Sequence, residues 1–174
     1  MELQILDFIQ QNMRTGFGDA VLPVVTHFGD SGIGWIILAA VLAIIPKTRK
    51  LGFSIAVGLL LELLVCDITV KPLVARPRPF IINPDVSLIT KAPHGFSFPS
   101  GHTGASFVAI SALLTNKSKL WIPALCLGLI IAFSRMYLYF HYPTDILGGV
   151  IIGSTLGFAG AIIVNKLYEM KSNG

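Results

Sequence analysis

Five apolar stretches, at residues 34–45, 51–70, 102–115, 120–140 and 145–164, make up half of this 174-residue chain, and most of its charges lie between them. About 20 apolar residues suffice to cross a hydrocarbon layer of about 30 Å as a helix. In that medium each crossing segment must satisfy its own backbone, which favours helices over open strands. The expected fold is therefore all-α: an integral membrane helical bundle with five spanning helices. The first and third stretches are short for the purpose and must borrow flanking residues or thin the bilayer locally. Composition agrees, with 53% apolar and 13% charged residues against about 25% charged in soluble domains. Disorder, coiled coil and a soluble domain are excluded as starting points. The formal charge of +4 is spread over short loops with no basic stripe, so no nucleic-acid partner is expected.

The N-terminal residues 1–13 set Ile5, Phe8, Ile9 and Met13 at helical spacing, with Glu2, Asp7, Gln10 and Gln11 opposite. That is the pattern of an amphipathic helix lying in the membrane interface. Residues 17–28 carry Asp19, Pro23 and His27 and are short and polar for a span; they are the candidate for a sixth. The chain thus divides into N-terminal interfacial helices at residues 1–30 and a membrane-embedded bundle at residues 31–174. With Glu2 and no basic n-region, the start does not read as a cleavable signal peptide. Lys47, Arg49, Lys50, Lys117, Lys119, Lys166 and Lys171 all fall on one side of the spans, which the positive-inside rule makes cytoplasmic. Trp35, Trp121, Tyr137, Tyr139 and Tyr168 lie near span ends, where such rings settle at headgroup level. Cys66 and Cys126 sit at different depths of their spans and are expected to be unpaired core residues.

Three polar islands are left unexplained by the apolar pattern. The first runs from Lys71 through Arg76 and Arg78 to Pro79; the second is Pro99-Ser100-Gly101-His102; the third is Ser134-Arg135, then His141, Tyr142, Pro143, Thr144 and Asp145. An even number of crossings separates each pair, so all three reach the outer face and can meet. Ser100 suits an N-cap, Pro143 a first helical position and Asp145 a first turn. Helix N-termini present free N–H groups and partial positive charge. Two arginines and a lysine beside them would repel one another unless an anion neutralised them, and the guanidinium fork matches phosphate oxygens. The spacing of His141 and Asp145 brings carboxylate to imidazole, the arrangement of an oriented base or nucleophile. His102, with no partner nearby in sequence, suits proton donation to a leaving oxygen. These residues suggest the roles without choosing firmly between the two histidines.

In order and spacing, Lys71 to Arg78-Pro79, Pro99 to His102, and Ser134-Arg135 to His141 to Asp145 resemble the three motifs of the membrane branch of the type 2 phosphatidic acid phosphatase superfamily. The resemblance implies a helical bundle and a metal-independent phosphomonoester or pyrophosphate hydrolase acting through a phosphohistidine, without cofactor. It implies His141 as nucleophile, Asp145 as its orienting partner and His102 as the acid. Lys71, Arg78, Ser100, Gly101 and Arg135 would hold the phosphoryl oxygens. The expected substrate is a membrane lipid, with an isoprenoid pyrophosphate such as undecaprenyl pyrophosphate preferred over phosphatidylglycerophosphate or phosphatidate. The enzyme is expected in the cell membrane with its site toward the outer leaflet.

Around this set, Arg76 is either an interfacial anchor or a headgroup contact, and Lys91 and His94 are further headgroup candidates in a loop, residues 83–97, otherwise expected to be a solvated connector. Asp67, one turn before Lys71, is expected to hold that ammonium. Glu62 calls for a bundle-facing polar partner such as Ser54, Thr103 or Ser106. Two other function classes compete. An anion transporter would also line its path with cations, but needs no His–Asp pair. A metal-dependent hydrolase built on His94, His102 and His141 lacks a paired ligand motif.

Overall fold

The computed structural model describes residues 1–172, and every regular element among them is helical. The last two residues of the bundle unit, 173–174, lie outside the described residues. The order is α1 (Glu2–Asn12), α2 (Gly16–His27), α3 (Ile33–Ile44), α4 (Arg49–Glu62), α5 (Lys71–Val74), α6 (Pro79–Ile82), α7 (Gly101–Thr115), α8 (Trp121–Tyr137) and α9 (Pro143–Ser172). A 3-10 turn, Asp30–Gly32, precedes α3, and a π-helical stretch, Leu63–Val70, joins α4 to α5. Two stretches, Arg49–Ile82 and Pro143–Ser172, are long and apolar enough to cross a membrane; Ile33–Ile44 and Trp121–Tyr137 are shorter apolar helices. α2 has 12 residues with Pro23 inside it. At about 18 Å it is shorter than a hydrocarbon layer of about 30 Å.

The bundle is organised around α7. Its residues from Thr103 to Ser106 and from Val108 to Leu113 are buried, and α4, α8 and α9 pack around it. The closest approach is made by α9, whose glycines recur every fourth residue on the face that meets α7. A Cβ on Gly153 would stand 2.3 Å from the Gly104 carbonyl oxygen, and one on Gly157 2.4 Å from that of Val108. Small residues let two backbones meet this closely where no water drives helices together. This seam also sets the N-terminal ends of α7 and α9 side by side, and the Ser100 N–H donates to the Asp145 carbonyl at 3.1 Å.

Three aromatic residues expected at headgroup level are instead buried. Trp35 donates its indole N–H to Ser106 at 3.0 Å. The Tyr137 hydroxyl donates to Asp19 at 2.8 Å and that of Tyr139 to Asp7 at 2.6 Å. A buried ring with a polar tip needs such a partner, and the N-terminal helices supply two of the three. α1 correspondingly buries Leu6 and Ile9 against the bundle while Ile5, Phe8 and Met13 stay exposed. Both cysteines are free; Cys66 is buried, but Cys126 lies exposed on the outer face of α8 rather than in the core.

A methyl group in the α7–α9 seam has only backbone to displace. Gly153→Ala should therefore cost about 1–3 kcal/mol by overpacking, read as a lower Tm in detergent. Gly16, where a Cβ meets nothing within 4 Å, is the control: Gly16→Ala should leave Tm unchanged.

Candidate active site

All three polar islands open onto one cavity of about 930 Å³, lined at its polar end by Lys71, Arg78, Gly101, His102, Arg135 and His141. Ser100 and Asp145 are wholly buried behind that wall. Ser100 caps α7 as its position suggested, accepting from the Thr103 N–H. His94 also lines the cavity, whereas Lys91 and Arg76 are not among its lining residues.

His141 owes its place to a chain reversal after α8. Tyr139 adopts φ 61°, a left-handed conformation uncommon outside glycine, and its hydroxyl is held by Asp7 and Asn83. Phe140 and His141 then donate their N–H groups back to the Arg135 carbonyl at 3.0 and 3.3 Å. One turn on, the Asp145 carboxylate faces the imidazole, with Nδ1 to Oδ2 at 3.5 Å. On the other side of the ring, Arg78 Nη1 lies 3.2 Å from Nε2. A guanidinium can only donate, so this contact makes Nε2 the unprotonated nitrogen and leaves the proton on Nδ1, toward Asp145. Burial, with Arg78 and Arg135 adding to it, pushes the His141 pKa down to about 3 against the pull of Asp145.

The carboxylate of Asp145 is satisfied from three sides. It accepts from the Ser97 hydroxyl, from the Tyr142 N–H at 2.8 Å and from Arg76 Nη1 at 2.6 Å. Arg76 thus braces Asp145 from behind: it also holds Glu2 and Thr144 and lies over the Tyr142 ring, 3.9 Å from its centroid.

Arg78 donates to the carbonyls of Gly95, Phe140 and His94 at 3.0 to 3.1 Å. Burial lowers its pKa to about 10, which still leaves it charged at neutral pH. The loop at residues 83–97, expected to be a solvated connector, thus anchors this arginine through two carbonyls and Asp145 through Ser97. Arg135 donates to Thr26 Oγ1 at 2.7 Å and lies over the Phe140 ring, while its Nε has no partner among the described residues. Lys71 is paired with Asp67, as its spacing suggested.

Glu62 finds none of its three expected partners. Ser106 is engaged by Trp35, Ser54 by Asn116 and Thr103 by Ser100. Its Oε1 has no partner among the described residues and faces Gly104.

His102 does have a partner, from a segment the sequence left unassigned: Nε2 lies 2.8 Å from Asp30 Oδ1, and Asp30 Oδ2 lies 2.6 Å from His27 Nδ1. The His102 hydrogen bond, against burial and with help from His27, holds the Asp30 carboxyl well below its usual range. Asp30, Thr26, Glu2 and Ser97 were not legible as site residues, because each acts across a large sequence separation and none sits in a patterned motif. Among the described residues there is no group of three or more His, Cys, Asp or Glu side chains placed to hold a metal.

The arrangement offers an unprotonated imidazole nitrogen to an anion held by buried cations. In the substrate-free protein, ¹⁵N NMR of His141 should show titration near pH 3 rather than about 6.5. Asp145→Asn should lower that value further by removing a negative charge, and Arg78→Met should raise it by removing a positive one. Titration of the wild-type ring near 6.5 would contradict this electrostatic description.

Comparison with known proteins agrees with the motifs. Residues 47–169 match the PAP2 superfamily. An undecaprenyl-diphosphatase of Sulfolobus acidocaldarius is 32% identical over 143 residues, covering 78% of this chain and 68% of that protein. The crystal structure of Aquifex aeolicus LpxE superposes with a TM-score of 0.73 at 28% identity, covering 91% of this chain and 93% of that one. A transmembrane PAP2 type phosphatidylglycerolphosphate phosphatase from Bacillus subtilis shares the fold, with a TM-score of 0.73 at 23% identity over 97% of this chain and 85% of that one. The chain belongs to the PAP2 superfamily and is a membrane lipid phosphatase of that family.

Proposed function

We propose that this phosphatase removes the terminal phosphate of an isoprenoid pyrophosphate, of which undecaprenyl pyrophosphate is one, through a phosphohistidine on His141 and without a metal. The observation that carries the reading is the continuity of the cavity: from the histidines and cations it runs on between α3 and α4, where Ile36, Ala39, Ala40, Phe53, Leu59 and Leu63 line it. A charged head and one slender apolar tail fit such a space. The name of the 32% identical relative from Sulfolobus acidocaldarius supports the same substrate class.

In the proposed reaction His141 Nε2 attacks phosphorus. Arg78 exchanges its bond to that nitrogen for one to a phosphoryl oxygen, and Arg135 Nε and Lys71 receive the others. The bond to the leaving oxygen breaks as His102 protonates it. Water then attacks phosphorus, the P–N bond breaks with its electron pair returning to Nε2, and the proton of that water passes to His102. Preorganised donors around developing charge are worth most where water is excluded.

The same reading gives the chain five crossing helices: α3, the Arg49–Val74 run, α7, α8 and α9. Exposed Ile36, Ile37, Leu60, Ile130, Ile151 and Ile162 would then face lipid. α1 lies along the interface on its exposed Ile5, Phe8 and Met13. The basic residues near positions 47–50, 117–119 and 166–171 mark the cytoplasmic side, and the site opens toward the outer leaflet of the cell membrane.

Phosphate release by purified protein in excess chelator tests the proposal. Turnover should persist, be faster on undecaprenyl pyrophosphate than on phosphatidylglycerophosphate or phosphatidate, and vanish in His141→Ala. His102→Ala should lose about 100-fold or more on a lipid phosphomonoester such as phosphatidate, whose alkoxide must leave protonated, and much less on an aryl phosphate or a pyrophosphate, whose leaving groups are stable anions. A preference for a glycerophospholipid would assign that substrate instead, and chelator-sensitive turnover would overturn the metal-free mechanism.

A further inference from the structure

The stretch from the end of α2 through the turn before α3, residues 26–32, lies outside the 47–169 family match, yet it reaches the acid side of the site at three points. Thr26 accepts from Arg135. The backbone at Gly29 runs against the edge of the His102 ring, where a Cβ would stand 2.7 Å from Cδ2. Asp30 engages His102 Nε2 through one oxygen and His27 Nδ1 through the other. His27 is exposed and Asp30 half-exposed, so this carboxylate is not filling a core; it links the pocket to the surface.

We propose that Asp30 is the positioning residue of the proton donor: it fixes the His102 ring through Nε2–H, leaves Nδ1 for the leaving oxygen and supports the protonated ring, as Asp145 does for His141. This rests on the reading of His102 as the acid. As the bond between phosphorus and the leaving oxygen breaks, that oxygen keeps the electron pair and takes the Nδ1 proton. The neutral ring retains its Nε2–H on Asp30. When water opens the phosphohistidine, its proton returns to Nδ1. His27 holds the second carboxylate oxygen and so keeps Asp30 aimed.

The charged and titratable groups around His102 come from five parts of the chain: Asp30, with His27 behind it, from the end of α2 and the turn after it, Arg135 from α8, Glu62, Asp67, Lys71 and Arg78 from the Arg49–Ile82 stretch, His94 from the long loop, and His141 from the reversal after α8. Asp30 is the carboxylate in contact with the ring, so its removal has a directed effect. Asp30→Asn should lower kcat on a lipid phosphomonoester such as phosphatidate, whose alkoxide must leave protonated, about 100-fold, with a far smaller loss on p-nitrophenyl phosphate, whose leaving group needs no proton. The alkaline limb of the lipid profile should move down by about one pH unit. Asp30→Glu should recover part of both effects, and His27→Ala should cost less than Asp30→Asn.

Tm is read for each variant. Equal loss on the two substrates, or an unmoved limb, would overturn the assignment, and a variant that merely unfolds falls under equal loss. Wild-type turnover that survives His141→Ala would instead sink the phosphohistidine reading and this inference with it. Turnover that needs His141 but ignores Asp30→Asn removes only the role of Asp30.

Discussion

The carboxylate of Asp145 is completely buried, and the rest of the site is arranged around that fact. An ionised carboxylate out of water persists only with charge and hydrogen bonds around it, and here the partners come from three separate parts of the chain. Ser97 arrives from the long loop, Arg76 from the Arg49–Ile82 stretch, and His141 and Tyr142 from the reversal between α8 and α9. Satisfying one buried charge therefore draws together segments that are far apart in sequence. The glycine seam between α7 and α9 brings the start of α7 against the same residue, where the Ser100 N–H donates to the Asp145 backbone carbonyl. Arg76 extends the network to Glu2, so the first residues of the chain are tied to the orientation of the nucleophile.

A second constraint is the excess of buried positive charge. Arg78 is bound to three carbonyls and an imidazole, and Arg135 to a hydroxyl and the face of Phe140. Among the described residues, neither has a carboxylate in hydrogen-bond contact. Burial keeps His141 unprotonated, and two guanidinium groups held this way add to that effect, which leaves the nucleophile free. The same imbalance favours a phosphoryl group, whose oxygens can take the Nε of Arg135 and the Nη1 of Arg78. The charge that reinforces this suppression is thus also the charge placed to bind the substrate.

Much of this was readable from the residues in order. Apolar blocks place the helices of the bundle to within a few residues at every end but one, α9 running on past its block at 164 to Ser172, and the three motifs at the block ends indicated which side chains would share a pocket. Ser100 at an N-cap, Pro143 at a first helical position and Asp67 beside Lys71 followed from local rules about helix ends and one-turn spacing. What was not readable depends on contacts between distant segments. Nothing near Asp30 marks it as a partner for a histidine 72 residues away. Tyr137 and Tyr139 fit an aromatic belt by position, and only the packing of α1 and α2 reveals them as buried anchors. The loop at residues 83–97 has a polar composition whether it is solvated or folded over an arginine. The π-helical stretch at Leu63–Val70 likewise has no pattern separating it from an ordinary apolar helix.

The central claim is that phosphorus is transferred to Nε2 of His141. Rapid quenching into base during turnover of a lipid with a ³²P-labelled terminal phosphate, followed by peptide mapping, tests it directly. The account predicts an acid-labile, base-stable label on the peptide containing His141, formed before steady-state phosphate release and absent in His141→Ala. Label on His102, or full wild-type turnover with no protein-bound phosphorus at any quench time, would contradict it.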